Sequence, residues 1–277
     1  MTYLGAILLG IVHGFTEIFP FSSSGHLAAA SNLFGISLSA GGHVFFDFLL
    51  HTGTLAAVCV VYWQDVVQMV YEGLGVFNFG PYTGQRRQRY PAARQLFMLL
   101  IATLPLIFIA FIRKYLQILF DNTYFVGAAM FLTGLILMCG DRMTPGNKTG
   151  GNISALDALI IGICQAVAAI PGISRTAVAL VASYGVGMKK EYAVRFSFLL
   201  YIPAALGYII LDLIDAAKSG IDWHYLPMYL VGTAAAIVAG VGSLLLFRKL
   251  FEKGKTGGFV YYCMVVGVLL IMLTLIF

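Results

Sequence analysis

Six stretches of the chain are apolar over a length that fits a membrane span, and short polar segments separate them. A run of about 18 or more apolar residues with few charges predicts a transmembrane helix. Residues 64–77 are less apolar and predict a helix that lies along the membrane surface. The six predicted spans are residues 43–63, 92–112, 118–140, 192–213, 225–247 and 258–277.

The opening stretch, residues 3–35, is also apolar but is broken in the middle. Its first part predicts a helix that Pro20 ends, because the proline ring clashes with the preceding turn. The hydroxyls of Ser22 to Ser24 can cap a second helix that starts near Gly25. At ~1.5 Å per residue this second helix is far shorter than the ~30 Å hydrocarbon core. The stretch is therefore predicted to re-enter the membrane as a hairpin rather than to cross it.

Residues 154–186 repeat this design, with a break at Pro171 and Gly172. Weak internal repeats with interrupted apolar segments are typical of membrane proteins whose binding site lies near the midplane. The predicted fold is an all-α polytopic membrane protein with six transmembrane helices and two re-entrant broken-helix hairpins in an inverted-topology repeat. It forms a single membrane domain, with repeats at about 1–140 and 153–277. The aligned positions are Gly10 to His13 with Gly162 to Gln165, Pro20 with Pro171, and Ser23-Ser24 with Ser174-Arg175.

Composition and charge support a membrane protein and predict its orientation. Of the 277 residues, 60% are hydrophobic and 10% are charged, whereas soluble domains carry about one quarter charged residues. The net charge of +5 comes from basic residues in short loops, which favours an orienting role over nucleic-acid binding. If the chain starts outside, only Arg113, Lys114 and Lys218 fall on the outer side. Both termini are therefore predicted outside, with the two hairpins entering from opposite faces and meeting within the membrane.

The two breaks carry groups that suit an anionic ligand. Ser174 and Arg175 lie at a predicted helix N-terminus, where free backbone N–H groups and the helix dipole favour anions. A guanidinium also binds phosphate oxygens as a planar fork. The segment from Ser22 to His26 presents a second such N-terminus. Two facing N-termini with an arginine between them predict a site for a diphosphate group rather than for a sugar or an amine.

The first hairpin also carries candidate catalytic and metal-binding residues. His13 and Glu17 are four residues apart on one helix face and can hold a hard divalent cation, Mg²⁺ or Ca²⁺, although the ligand set is thin. Ser23 and His26 are three apart and suit a hydroxyl nucleophile beside an imidazole that moves its proton.

Each of these residues has a structural alternative. Glu17 can serve only as the ion-pair partner of Arg175, and His13 can be a hydrogen-bonded core histidine. Ser22 and Ser24 can act as helix caps without touching a ligand.

Asp47 and His51 are two further polar residues, and both fall within the first predicted span. Ionisable groups at membrane depth are costly and are by default functional. We expect His51 to help bind the substrate, with orientation of the site as its alternative role.

Two motifs resemble the signature sequences of the undecaprenyl-pyrophosphate phosphatase family, the bacitracin-resistance type. They are Thr16 to His26 and Pro171 to Arg175, and two further stretches, Leu50 to Ala57 and Arg195 to Pro203, fit the family pattern. The resemblance covers nearly the whole chain. It implies removal of the terminal phosphate from undecaprenyl diphosphate at the outer face of the cytoplasmic membrane, with a divalent cation. This reaction would recycle the lipid carrier of cell-wall peptidoglycan synthesis and confer bacitracin resistance.

The resemblance also implies which residues are functional and shows one departure. At position 13 the family usually has Glu or Gln, four residues before Glu17, whereas this chain has His13. The departure removes a second carboxylate and implies an altered metal or pH dependence, or another isoprenoid or lipid substrate. The positions that match the family are Glu17, Ser23, His26, Ser174 and Arg175.

We therefore predict a membrane-embedded hydrolase in which Ser23 attacks the terminal phosphorus and His26 handles the proton. Arg175 and Ser174 would hold phosphate oxygens, and Glu17 would bind the metal or act as a second base. Attack through His26 as a phosphohistidine, or by an activated water, remains open. Further substrate contacts are expected from Ser22, Ser24 and His51.

A transporter that flips a polyprenyl phosphate is the rival function, because inverted repeats with broken helices are typical of transporters. A phosphatase for another lipid diphosphate is a further alternative. The expected partners are the polyprenyl diphosphate substrate and membrane lipids, with no nucleic acid, and a homodimer is left open.

Overall fold

The structure is a computed structural model that describes residues 1–23, 25–27, 30, 36, 43–77, 91–116, 119, 122–252 and 257–276. Within those residues the regular secondary structure is helical. The elements are α1 (Tyr3–Ile18), α2 (Val44–Val61), α3 (Trp63–Val76), α4 (Pro91–Leu116), α5 (Thr123–Arg142), α6 (Ala155–Val167), α7 (Arg175–Gly185), α8 (Lys190–Ser219), a 3₁₀ turn (Trp223–Tyr225), α9 (Leu226–Glu252) and α10 (Gly257–Ile276).

The six predicted spans are confirmed as six long apolar helices in the described part of the chain. Their membrane-length segments are Val44–Val61, Pro91–Ile112, Thr123–Arg142, Lys190–Lys218, Trp223–Phe251 and Gly257–Leu275. Two shorter apolar helices, α1 and α6, have 16 and 13 residues. At ~1.5 Å per residue they are shorter than a ~30 Å membrane core, as the prediction of broken helices requires.

The first break follows the predicted chemistry. Helix α1 ends at Ile18, two residues before Pro20. Ser22 Oγ then accepts a hydrogen bond from the backbone N–H of Gly25 at 3.4 Å, which is the contact of an N-cap. The backbone is helical at residues 23, 25–27 and 30, so this helix begins at Ser23 rather than near Gly25. Ser24, which was predicted as a helix cap and as a substrate contact, lies outside the described residues.

The second break depends on Gly172, which adopts a positive φ of 98°. A Cβ at this position would come within 2.6 Å of Ala129 Cβ on α5. Thr133 on the same helix fixes the turn, since its hydroxyl donates to Gly172 O at 3.0 Å and accepts from Ser174 N at 3.1 Å. The Ser174 hydroxyl in turn accepts from Ala177 N at 3.3 Å and caps α7. The turn therefore sets where α7 begins and where Arg175 lies.

Helix pairs in the interior pack at glycines. Helix α1 packs on α9, where Gly10 faces the backbone oxygen of Gly232, and α6 packs on α4, where Gly162 faces the backbone oxygen of Ala102. These approaches are too close for a side chain. Helices α5 and α10 cross with Gly127 against Gly267. Small residues at such crossings let backbones approach in membrane proteins, where packing rather than water drives association.

Helix α3, predicted to lie along the membrane surface, is joined to α4 through Glu72. The carboxylate of Glu72 accepts hydrogen bonds from the backbone N–H groups of Ala92 at 2.7 Å and Ala93 at 3.1 Å. Both N–H groups belong to the first turn of α4, where backbone N–H groups have no acceptor within their own helix. A carboxylate there also complements the positive end of the helix dipole.

Candidate active site

A buried ion pair joins the ends of the two broken elements. Arg175 Nη2 donates to Glu17 Oε1 at 2.8 Å, and the two side chains are only 19% and 4% exposed. Thr176 Oγ1, one residue further along α7, donates to the backbone oxygen of Glu17 at 3.5 Å. The first turn of α7 thus contacts the last turn of α1. An ion pair with Arg175 was the alternative role predicted for Glu17, and this ion pair is present.

Aromatic rings complete the surroundings of Arg175. Its Cζ lies 5.1 Å from the ring centroid of Tyr201 and 4.9 Å from that of Tyr208. Both tyrosines belong to α8, and a guanidinium over an aromatic face is attracted by the ring quadrupole. The Tyr201 hydroxyl is within 2.8 Å of Thr54 Oγ1 on α2. This contact brings together the two further stretches that fit the family pattern, Leu50 to Ala57 and Arg195 to Pro203.

One nitrogen of Arg175 is left for a ligand. Nη1 is buried and has no hydrogen-bond partner among the described residues, while Nη2 is used by Glu17. A buried charged donor without a partner is costly. An anionic oxygen is the natural acceptor, because arginine presents several donors in a planar fork. This nitrogen is therefore a donor that an anionic ligand could use.

Ser23 belongs to this site, whereas two other predicted serines act as caps. The Ser23 hydroxyl hydrogen-bonds with the Glu17 carboxylate, which also carries the bond from Arg175. The hydroxyls of Ser22 and Ser174 accept from backbone N–H groups at helix starts. A ligand contact by either of those two hydroxyls stays a prediction.

His26 is held by α10 and not by Ser23. Its Nδ1 lies 2.7 Å from the Ser22 backbone oxygen, and its Nε2 lies 2.7 Å from the Tyr262 hydroxyl. A carbonyl can only accept, so Nδ1 carries the hydrogen and Nε2 of the neutral ring accepts from Tyr262. The predicted pairing of the Ser23 hydroxyl with the His26 imidazole is therefore absent from this arrangement, and Nε2 can act as a base only after Tyr262 withdraws.

His13 on α1 and His51 on α2 touch each other beside Glu17. Their ring centroids are 4.7 Å apart in an edge-on arrangement. His13 is 1% exposed, and neither of its ring nitrogens has a hydrogen-bond partner in the described part of the chain. His51 Nδ1 lies 3.1 Å from the Asp47 backbone oxygen and 3.4 Å from Asp212 Oδ2. His51 therefore borders the polar site, as expected from its position in the first span.

A potential metal-binding cluster is formed by His13, Glu17 and His51, which offer one ligand atom each within 4.8 Å of one another. Magnesium and calcium prefer six or more oxygen ligands, whereas this set has one carboxylate, already paired with Arg175, and two imidazoles. The donors therefore fit Mg²⁺ and Ca²⁺ poorly. That cofactor stays a prediction from the sequence, and its two proposed ligands, His13 and Glu17, do lie together.

Four functional candidates were missed by sequence reasoning. Asp212 is an aspartate inside an apolar span, the same signal that singled out Asp47, and could have been found. Tyr201 and Tyr208 are seven residues apart and share a face of α8, but tyrosines at helical spacing are common in apolar helices. Nothing in the sequence points from Tyr262 to His26, because the contact joins residues 236 positions apart.

In the described part of the chain, six membrane-length helices define an integral, multi-pass membrane protein, and its interior holds an arginine with one unpartnered nitrogen among those residues. The chain belongs to a known family of this class: the model of the bacitracin resistance protein BacA family matches residues 6–269. The family predicted from the two motifs is thereby confirmed.

Similar curated proteins cover nearly the full length. An undecaprenyl-diphosphatase of Methanosphaera stadtmanae is 32% identical over 284 residues, covering 99% of this chain and 98% of the relative. One from Desulforapulum autotrophicum is 35% identical, covering 95% of both chains. Undecaprenyl-diphosphatase 2 of Bacillus thuringiensis is 37% identical, covering 98% of this chain and 96% of the relative. The names agree with the predicted enzyme class.

Proposed function

We propose that the protein hydrolyses undecaprenyl diphosphate to undecaprenyl phosphate and inorganic phosphate. The observation that carries this proposal is the chain of contacts from Ser23 through Glu17 to Arg175. It places a hydroxyl, a carboxylate and a guanidinium with a free buried nitrogen in one site. The names of the full-length relatives supply the substrate.

The residues divide the first chemical step among them. Arg175 Nη1 binds an oxygen of the terminal phosphate, and the guanidinium offsets the charge that develops there. Ser23 Oγ attacks the phosphorus while its proton passes to Glu17, and the bond to the bridging oxygen breaks to release undecaprenyl phosphate. The negative charge of the bound phosphate offsets the positive charge of Arg175. Glu17 is therefore a stronger base in the complex than in the free enzyme.

The second step returns the enzyme to its starting state. Water attacks the phosphoserine, the bond between Ser23 Oγ and phosphorus breaks, and phosphate leaves. We assign activation of this water to His26, because its neutral Nε2 is a proton acceptor once Tyr262 withdraws. The proton held by Glu17 goes back to the Ser23 oxygen as it leaves, and His26 passes the proton that it took from water to the departing phosphate.

Phosphate release from detergent-solubilised protein tests the proposal. Ser23→Ala is expected to lower kcat by about 10²-fold or more, since covalent catalysis is lost. Ser183→Ala is the matched control, because the hydroxyl of this buried serine donates within its own helix α7, to Ala179 O at 2.7 Å. Full turnover by Ser23→Ala would exclude serine attack and leave direct attack by water. Substrate binding without turnover by the unmodified protein would instead favour the flippase.

We further propose the inverted-topology repeat, which the helix pairing supports. Exchanging the halves, about 1–140 and 153–277, maps α1 onto α6, α2 onto α8, α4 onto α9 and α5 onto α10. The packing of α1 on α9 then corresponds to α6 on α4, and α2 on α9 corresponds to α8 on α4. The aligned residues Gly10 and Gly162 each face a backbone oxygen of the other half, and the aligned His13 and Gln165 are both 1% exposed.

We also propose that both termini lie on the outer side and that the site opens to the outer face of the cytoplasmic membrane. Hydrolysis there would recycle the lipid carrier and confer bacitracin resistance. The placement of basic residues supports this orientation. A protease-cleavable tag after residue 277 tests it. Cleavage in intact cells is expected, whereas cleavage only after cell lysis would place the C-terminus inside.

A further inference from the structure

A cluster of nitrogen and oxygen donors adjoins the proposed phosphate site, and of its three residues only Glu17 takes part in the hydrolysis described above. His13 and Glu17 on α1 and His51 on α2 offer ligand atoms within 4.8 Å of one another. His13 is the key member, because it is 1% exposed and both of its ring nitrogens are without hydrogen-bond partners among the described residues. A buried imidazole left in this way is costly unless something binds it.

The second observation is the support of His51. Its Nδ1 faces the Asp47 backbone oxygen at 3.1 Å and the Asp212 carboxylate at 3.4 Å. Nδ1 therefore carries the hydrogen, and Nε2 is the nitrogen that keeps its lone pair. Metal-ligating histidines typically donate their other N–H to a carboxylate or a backbone carbonyl in this manner, which fixes the tautomer and the ring orientation.

The donor types also limit which ion fits. Only one carboxylate, that of Glu17, belongs to the cluster, so the ligands offered are mainly nitrogen.

We propose, on the basis of the proposed function, that His13, Glu17 and His51 form a site that prefers a divalent transition-metal ion such as Zn²⁺ or Co²⁺ over Mg²⁺ and Ca²⁺. Imidazole is a ligand for zinc, cobalt and iron, whereas magnesium and calcium need oxygen donors. His13 sets this preference, because it offers an imidazole nitrogen at a place where a carboxylate would offer the oxygen that Mg²⁺ and Ca²⁺ need.

The test uses purified full-length protein in detergent, treated with chelator and titrated with Co²⁺. We expect about one Co²⁺ per chain, with visible d–d absorption bands of a nitrogen-containing site, and no displacement by a hundredfold excess of Mg²⁺ or Ca²⁺. His13→Glu is expected to weaken Co²⁺ binding about tenfold or more and to strengthen Mg²⁺ binding. Asp212→Asn, which removes the support of His51, should weaken Co²⁺ binding by about 10-fold to 100-fold.

Controls make each result decisive. His224→Gln changes an exposed histidine of the 3₁₀ turn and should leave Co²⁺ binding unchanged. His13→Gln serves as a second variant should His13→Glu fail to elute as a folded protein in size exclusion. Unchanged Co²⁺ binding by the folded His13 variant, or displacement of Co²⁺ from the unmodified protein by Mg²⁺, would overturn the proposal.

The two proposals fail in different ways. Phosphate release without Co²⁺ binding that depends on His13 contradicts only the metal preference. Co²⁺ binding that depends on His13, in a protein that releases no phosphate from undecaprenyl diphosphate with any metal, contradicts only the proposed function.

Discussion

Arg175 Nη2 lies 2.8 Å from Glu17 Oε1 and joins residues 158 positions apart in the chain. The pair connects the first turn of α7 with the last turn of α1, so the same contact holds the two broken elements together and forms the proposed active site. Breaking a buried pair by removing one partner leaves an uncompensated charge in the interior. Stability and the proposed catalysis therefore involve the same two side chains.

The first prediction concerns this coupling. Glu17→Gln and Arg175→Met are each expected to lower the free energy of unfolding by about 3–5 kcal/mol, because each leaves one buried charge unpaired. The double variant is expected to lose clearly less than the sum, since it removes both charges. Denaturant unfolding in detergent measures all three variants. Additive losses would show that the two charges do not interact.

The second prediction concerns the turn before Arg175. Gly172→Ala places a Cβ at a φ of 98° and within 2.6 Å of Ala129 Cβ. The left-handed conformation alone costs a non-glycine residue about 1–2 kcal/mol, and the contact with α5 adds to it. We expect a lower melting temperature and loss of phosphate release, because α7 can no longer start in the same place.

Gly185→Ala is the control for this substitution. Gly185 ends the same helix, and a Cβ there meets nothing within 4 Å. Its melting temperature and turnover should stay close to those of the unmodified protein. Equal losses in the two variants would mean that the turn at Gly172 has no special role.

The third prediction separates His26 from its neighbour on α10. His26→Gln is expected to lower kcat by about 10²–10⁴-fold if its imidazole moves a proton during turnover. Tyr262→Phe removes only the hydroxyl that lies 2.7 Å from His26 Nε2, and its effect should stay within about tenfold because the base itself is retained. Steady-state phosphate release measures both. An equally severe loss in Tyr262→Phe would show that the contact between the two side chains, and not the imidazole, is required.

The fourth prediction concerns the start of α6, outside the membrane spans. Burial would raise the pKa of Asp157, but hydrogen bonds to its carboxylate from the Lys148 ammonium and the Ser154 backbone N–H outweigh burial and hold this pKa below its usual value. A carboxylate whose pKa is lower in the folded state stabilises the fold when the pH is above its pKa in the unfolded state. This contribution is lost as the pH falls through its pKa in the folded state.

Asp157→Asn should therefore cost about 1 kcal/mol at pH 7, the usual size of a helix cap, and progressively less as the pH is lowered below about 4. Thermal unfolding of both proteins across this pH range provides the measurement. A difference that stays constant down to pH 2 would contradict the assigned cause.

Several elements of this fold were predictable because local chemistry decides them. Pro20 cannot continue α1, Ser22 and Ser174 offer cap oxygens at the next helix starts, and the apolar runs are long enough to span. Glu17 and Arg175 were predicted as site residues because charged groups in apolar segments need partners, and the structure pairs them with each other. Residue 23 already has a helical backbone, ahead of the predicted helix start near Gly25, because Ser22 acts as the cap.

The sequence by itself thus determined which segments are long and apolar enough to span a membrane, where the two shorter helices end and which charges must be paired, because these follow from properties of adjacent residues. Only the tertiary structure decided that Tyr262 holds His26, that Asp212 supports His51 and that Ser23 bonds to Glu17. The first two contacts join distant helices, and the third spans the break at Pro20. No periodicity or cap within one helix encodes such contacts, because they depend on how closely packed helices orient their side chains.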